Sequence, residues 1–455
     1  MPMMTTINPS TGEILKQYHQ TTPEEVETYL NQLCEGWKKW RALTFSERAK
    51  AFLALSKKIL EKKAEFSRLV ALEMGKPVRL ARAEIEKCAW VCEYFAENAA
   101  KLLEEEVIST SLKKSVIQYQ PMGVILGIMP WNFPFWQVFR AASTSIMAGN
   151  VFLLKHAPIA TGSALAIEAL FNEVMPVTVF KTIVVDESTV SALISHEKIA
   201  AVTLTGSVRA GVSVAQQAAQ SLKKCVLELG GNDPYLILED ADLAAAAKIC
   251  VQGRLANAGQ VCIAPKRLIV IDSVFDEFRR NVLREINLFA CGDPLKEQTT
   301  LGPMAREDLR DLLDRQVQES IAKGAQLLIG GQPIAGKGFY YPATVIEGVV
   351  PGMPAFDEEL FGPVVVLIRA KNEEEAIALA NNTPYGLGAG VFTQNIEHGE
   401  YLAANRIEAG ACSINTIVSS DPRIPFGGIK KSGLGYELGT AGIREFVHMK
   451  SIGVA

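Results

Sequence analysis

The chain is predicted to be an α/β protein with a doubly wound parallel sheet and a second α/β domain after it. Three observations carry this expectation. From 123 to 222, continuous apolar segments alternate with amphipathic ones: GVILGIMP, then a helical pattern over 134–149, VFLLK (151–155), a helix over 161–175, TIVVD (182–186), a short helix, AAVTLTG (200–206) and a helix over 207–222. The alternation resumes over 268–425 with RLIVI, a helix from about 274, VVVLI (364–368), NEEEAIALANN and GAGVFT. Finally, 455 residues exceed what one core organises, so two or three domains are expected. No Pro/Ser-rich linker separates them, which predicts domains packed together with a cleft between.

The first hundred residues read as helices. Thr22-Pro23-Glu24-Glu25 combines an N-cap, a proline at the first helical position and a capping-box glutamate. A helix over 46–75 stops at Gly75 before Lys76-Pro77, and another spans roughly 80–105. SVIQYQ then reads as a strand, set apart from GVILGIMP by Pro121 and Gly123. Asp240 or Asp242 is expected to cap an alanine-rich helix leading to the GQVC loop.

With 48% hydrophobic and 21% charged residues, the composition is that of a globular protein, and a net charge of −4 argues against nucleic acid as a partner. No apolar run reaches membrane-spanning length. Eight cysteines in so long a chain do not form a disulfide framework, and five histidines without a CxxC pair argue against a metal site. A reducing cytoplasm is the expected location.

Four stretches carry candidate chemistry. Cys262 sits in GQVCIAPKR (259–267), a loop where glycine lets other backbone approach, and is a candidate nucleophile. Glu228 ends the apolar segment CVLELGG, where burial raises a carboxyl pKa toward that of a base working near neutrality. Asn132, in PWNFP (130–134), offers amide hydrogens to an oxyanion. At the junction TGSVRAG (205–211), Gly206 and Ser207 open a helix that can hold a phosphate. Alone, each has an ordinary structural explanation: a space-filling thiol, an ion-paired glutamate, a turn asparagine, a glycine turn.

Taken together, PWNFP, Lys155, TGSVRAG, LELGG (227–231), GQVC, EELFGPV (358–364), NNTPYGLGAGVFT (381–393) and PFGGIKKSGLG (425–435) run in order along the chain and resemble the aldehyde dehydrogenase family. The resemblance implies that Cys262 attacks an aldehyde, that Asn132 and the Cys262 amide hold the oxyanion, and that Glu228 activates water to hydrolyse the thioester. It implies NAD as cofactor, with NADP possible, bound by Trp131, Lys155, Pro158, Gly206, Ser207, Glu359 and Phe361. It further implies a dinucleotide-binding domain (1–110 and 122–230), a catalytic domain (231–430) and an oligomerisation arm (111–121 and 431–455) of a homodimer or homotetramer. Within the family, KHAP (155–158) and Arg140 are most like the succinate-semialdehyde branch. There Arg140 would bind the substrate carboxylate, aided by Ser419 and Ser420. Ala256 stands where that branch often has a second arginine, with Arg254 close by, and Pro158 replaces a glutamate that excludes NADP. A general aldehyde or other semialdehyde dehydrogenase, a coenzyme-A-acylating relative and a silent scaffold remain alternatives. Glu228 argues against the acylating one.

Overall fold

A computed structural model describes residues 3–455. Two sheets, each sandwiched by helices, make up its body. The first has six strands in the order Gly433–Leu434, Lys224–Glu228, Ile199–Thr205, Val124–Met129, Val151–His156 and Phe180–Ile183. All are parallel except the first, which runs antiparallel to its neighbour. The strand Val124–Met129 lies between Ile199–Thr205 and Val151–His156, so the chain winds outward in one direction and then returns to wind in the other. Such a switch leaves a crevice at the carboxyl ends of the strands. The second sheet has seven strands, ordered Gln326–Ile329, Thr344–Glu347, Val364–Ala370, Arg267–Ile271, Pro234–Ile237, Gly388–Phe392 and Ala411–Ile414, parallel but for the first. A third, antiparallel sheet of Val447–Val454, Lys114–Pro121 and Glu106–Val107 projects as an arm.

Local chemistry accounts for most of these elements. Thr22 and Glu25 form the reciprocal capping box at the helix Pro23–Trp40, and Gly75 ends the helix Lys63–Met74 with φ +79°. The segment expected as one helix over 46–75 is two, Phe45–Glu61 and Lys63–Met74, broken at Lys62. The strand expected over 182–186 is Phe180–Ile183 instead, because Asp186 turns its side chain to cap the helix Glu187–Ser195. Asp242, not Asp240, caps the helix Leu243–Leu255; Asp240 instead takes the amides of Gln394 and Asn395.

Elements absent from the sequence reading include an N-terminal hairpin (Met3–Ile7 with Ile14–His19) and the helices Glu307–Ala322 and Ile396–Asn405. The C-terminal tail also divides differently from the expected boundary at 431. Gly433–Leu434 extends the first sheet beside Glu228, and Leu438, Ile443 and Phe446 pack into that sheet's core, so the arm takes only the last strand. The reason is apolar burial: these three side chains are at most 4% exposed. Among the described residues, no helix is long and apolar enough to cross a membrane, and no three His, Cys, Asp or Glu side chains gather as a metal site.

The helix Pro23–Trp40 seats on the first domain through Val26, Leu30, Leu33 and Trp40, with the Trp40 indole donating to the Ile146 carbonyl at 2.8 Å. Gly36 makes that seat close: a Cβ there would lie 1.8 Å from the Thr178 carbonyl oxygen. Gly36→Ala would gain about 1 kcal/mol of helix propensity in an exposed helix. Here the clash with fixed backbone dominates, and a net loss of about 1–3 kcal/mol is expected. Urea unfolding checks it; an unchanged or raised midpoint contradicts the packing described.

Candidate active site

The crevice of the first sheet collects residues from four strand ends. Asn132 follows Met129, Lys155 lies near the end of Val151–His156, Gly206 and Ser207 follow Thr205, and Glu228 ends its own strand, paired in register with Thr205. Cys262 and the Glu359–Phe361 segment come from the second domain, in the loops that lead into Arg267–Ile271 and Val364–Ala370. The two sets meet across the cleft. The Asn132 side-chain amide donates to the Gln260 carbonyl at 3.0 Å; beside it, where the chain passes from the first domain to the second, the Glu359 carboxylate accepts from the Gly231 amide at 3.2 Å.

Cys262 stands on an unusual turn. Asn257, Ala258 and Gly259 have φ of +52°, +54° and +72°, and a Cβ at Gly259 would lie 2.1 Å from the Gly362 carbonyl oxygen. Left-handed backbone at two residues that carry a Cβ costs roughly 1–3 kcal/mol each, so the surroundings must hold it. Arg254 does so. Fully buried, it donates from Nη1 to Gly259, from Nη2 to Leu360 and from Nε to Val364, all to carbonyl oxygens. Its fork is therefore spent on backbone and does not reach substrate. Lys266 completes the clamp by pairing with Glu359 at 3.1 Å while donating to the Val261 and Cys262 carbonyls.

Burial pushes the Cys262 thiol up to about 11, against the pull of Arg140 and Lys266 and with the repulsion of Glu359 and Glu228. Glu228 is 2% exposed, and neither carboxyl oxygen has a hydrogen-bond partner among the described residues. Burial raises its pKa well above the usual carboxylate range, opposed by Arg140 and reinforced by Glu437. Glu437 touches the Arg140 guanidinium, and burial raises its pKa too, so the two carboxyls share the influence of one cation.

Cys262 opens into a cavity of about 280 Å³ that Arg140, Ser419 and Ser420 also line. Here the structure qualifies the expectation for Arg140. It is neither solvent-facing nor free: Nε is paired with Glu437, Nη2 donates to Thr205 at 3.3 Å, and the group stacks on the Phe426 ring. Only Nη1 lacks a protein partner among the described residues. Ser420 is buried and Ser419 exposed, so the two serines are not equivalent.

The expected cofactor residues are placed unevenly. Lys155 is only 7% exposed yet has no hydrogen bond or ion pair among the described residues, as suits an ammonium reserved for a ligand. Trp131 and Phe361 meet edge-on, ring centres 5.8 Å apart. Pro158 is exposed in a short 3-10 turn. The Gly206 amide is already donated to the Glu228 carbonyl, and the Ser207 hydroxyl caps its helix through Ala210; the amides beyond them remain for a phosphate. Three further residues escaped the sequence reading. Glu84 accepts from the Phe135 and Trp136 amides and so starts the helix that carries Arg140. His156, neutral because burial lowers it to about 4, accepts from the Ala157 amide and donates to the Pro134 carbonyl. Glu437 partners Arg140. Charged residues on the apolar face of a helix (Glu84 among Ala81, Ile85 and Cys88) are the signal that could have found the first.

Residues 2–452 match the model of the aldehyde dehydrogenase family. The chain belongs to this family. It is 44% identical over 447 residues to succinate semialdehyde dehydrogenase [NAD(P)+] Sad of Escherichia coli, covering 98% of this chain and 96% of that one. It is 45% identical to a probable succinate-semialdehyde dehydrogenase [NADP(+)] of Synechocystis, covering 99% of both. The solved succinic semialdehyde dehydrogenase of Streptococcus pyogenes, in complex with NADP+, superposes with a TM-score of 0.97 at 34% identity over 99% of each chain.

The raised thiol pKa gives a direct test in protein without added cofactor. Only the thiolate reacts with iodoacetamide, and its share grows with pH until the pKa is passed. Alkylation of Cys262, followed by mass spectrometry, should therefore quicken about tenfold per unit from pH 7 to 9. A plateau below pH 8 would show a thiolate already formed.

Proposed function

We propose that this aldehyde dehydrogenase oxidises a short semialdehyde, succinate semialdehyde foremost, to its carboxylic acid. The observation that carries the reading is the cavity itself, with Cys262 at its reactive end, the Arg140 guanidinium in its wall and the Glu228 carboxyl near enough to act on the Cys262 charge. The names of the similar proteins support the substrate class.

Cys262 first gives up its thiol proton to solvent; the thiolate sulfur then bonds to the aldehyde carbon, and the oxygen takes the negative charge. The free hydrogen of the Asn132 amide and the Cys262 N–H stabilise that oxyanion. Lys155, Trp131, Glu359, Phe361 and the start of the helix Val208–Gln220 would hold a nicotinamide dinucleotide, which when bound supplies the hydride acceptor. Collapse of the oxyanion with loss of hydride leaves a thioester on Cys262. Glu228 takes a proton from water, the resulting hydroxide adds to the thioester, and the C–S bond breaks with its electron pair returning to sulfur. For this Glu228 must first release its own proton, a step the Arg140 charge favours. Pro158 brings neither a ribose-binding carboxylate nor one that repels a 2′-phosphate, so both NAD and NADP fit that position, NAD being the expected choice.

The arm supports self-association. Val107, Ile108, Leu112, Met449 and Val454 are 42–74% exposed there, an apolar surface that a second copy would cover in a dimer or tetramer. A cytoplasmic location accords with the free thiols.

Reduced-nicotinamide absorbance with a panel of aldehydes and both cofactors tests the reading: succinate semialdehyde should lead the panel, and a lead for neutral aldehydes would make the enzyme a general one. Glu228→Gln should separate acylation from hydrolysis. The amide accepts no proton from water, so one equivalent of reduced cofactor should appear in a burst, followed by turnover slowed about 10²–10⁴-fold. Steady turnover with no acyl adduct on Cys262 by mass spectrometry would remove Glu228 from the base role.

A further inference from the structure

Three cations line the substrate cavity, and only one lacks a counter-charge in contact. Lys76 is paired with Glu84, and Arg140 with Glu437, each pair fully buried. Lys87, on the same helix as Glu84, has no carboxylate within ion-pair distance among the described residues. Its ammonium donates to the Ser420 hydroxyl at 2.9 Å and lies 4.3 Å from the centre of the Trp136 ring. The nearby Asp421 is engaged by Arg423 through Nε and Nη2 at 2.8 and 2.6 Å. Ser420 oxygen accepts from both Lys87 and the Trp136 indole (3.1 Å), so its own hydrogen is left to donate into the cavity. An ammonium with two unused hydrogens and an oriented hydroxyl thus converge in a wall otherwise formed by Trp136, Phe426, Val418 and Ile417.

We propose that Lys87, with Ser420, is the group that selects aldehydes bearing a distal carboxylate. This rests on the semialdehyde reading above and assigns its specificity to a residue outside the motifs that suggested it. Arg140 is already in contact with a carboxyl, Glu437, whereas no carboxylate among the described residues lies within ion-pair distance of Lys87. Lys87 contributes the one uncompensated positive charge in the cavity wall. Burial brings its ammonium down to about 8, Arg140 adding to the fall and Cys88, Asp421 and Glu84 opposing it, so it remains mostly protonated at neutral pH. An arriving carboxylate restores a counter-charge to a desolvated ammonium, an interaction that a neutral aldehyde of equal length cannot make.

The experiment compares wild type, Lys87→Met and Lys87→Arg on succinate semialdehyde and butanal at saturating cofactor. The ratio of kcat/KM, acid over neutral, should fall about ten- to a hundredfold in Lys87→Met, mainly through KM, and recover to within about threefold of wild type in Lys87→Arg. If Lys87→Met does not fold, Lys87→Gln, which keeps the bond to Ser420 without the charge, is read in the same way. An unchanged ratio, or equal losses on both substrates, overturns the proposal. Should wild type itself show no preference for succinate semialdehyde, the substrate reading fails alone, and glyoxylate, malonate semialdehyde and glutarate semialdehyde decide for Lys87. A preference for one of them that Lys87→Met abolishes upholds the assignment; no preference for any overturns it.

Discussion

The left-handed turn at Asn257-Ala258-Gly259, and the Arg254 fork that holds it, is the constraint on which the site depends. Without the turn, Cys262 would continue the direction of the helix Leu243–Leu255 and would not face the crevice of the first sheet. The same guanidinium grips Leu360 and Val364, so the Cys262 loop and the Glu359–Phe361 segment are tied to one side chain. Burial lowers Arg254 to about 9, yet three charge-assisted bonds to carbonyl oxygens keep the cation satisfied. Asn257 carries the constraint across the cleft by donating to the Asn132 carbonyl at 2.9 Å.

A second theme is the sharing of one cation by two acids. Arg140 contacts Glu437 and, at longer range, opposes the protonation of Glu228. Two buried carboxyls near a single guanidinium do not both ionise readily, so the pair titrates jointly and one proton is held between them. This keeps Glu228 without hydrogen-bond partners and yet uncharged, which makes its burial tolerable.

Much of the fold was legible because the parallel strands are apolar throughout and the helices announce their ends: Thr22 with Glu25, Gly75, and Ser207 at its cap. The helix Glu307–Ala322 was not, because it buries only Leu313, Gln316, Val317 and Ser320, too few apolar positions to stand out from its charges. Within the site, the residue types and their order pointed to Cys262, Glu228 and Asn132, since a reactive group in an apolar stretch is conspicuous. What the order could not reveal is which donors are already engaged. The Gly206 amide, the Ser207 hydroxyl and the Arg140 Nε each have protein partners that only three dimensions disclose. Nor does any local signal mark Ala258 as left-handed, for alanine ordinarily avoids that region and is held there by an Arg254 side chain that is itself fixed by the distant Leu360 and Val364 carbonyls.

The tail that pairs Gly433–Leu434 with the Glu228 strand and brings Glu437 to Arg140 has a consequence for the order in which the protein is made. Asn132, Glu228 and Cys262 have all left the ribosome long before residue 437 is synthesised. Until that glutamate arrives, the Arg140 cation has no contacting counter-charge and the Glu228 strand lacks its edge partner. A nascent chain, or one terminated before residue 437, thus carries Cys262 near an Arg140 that still lacks its carboxyl partner.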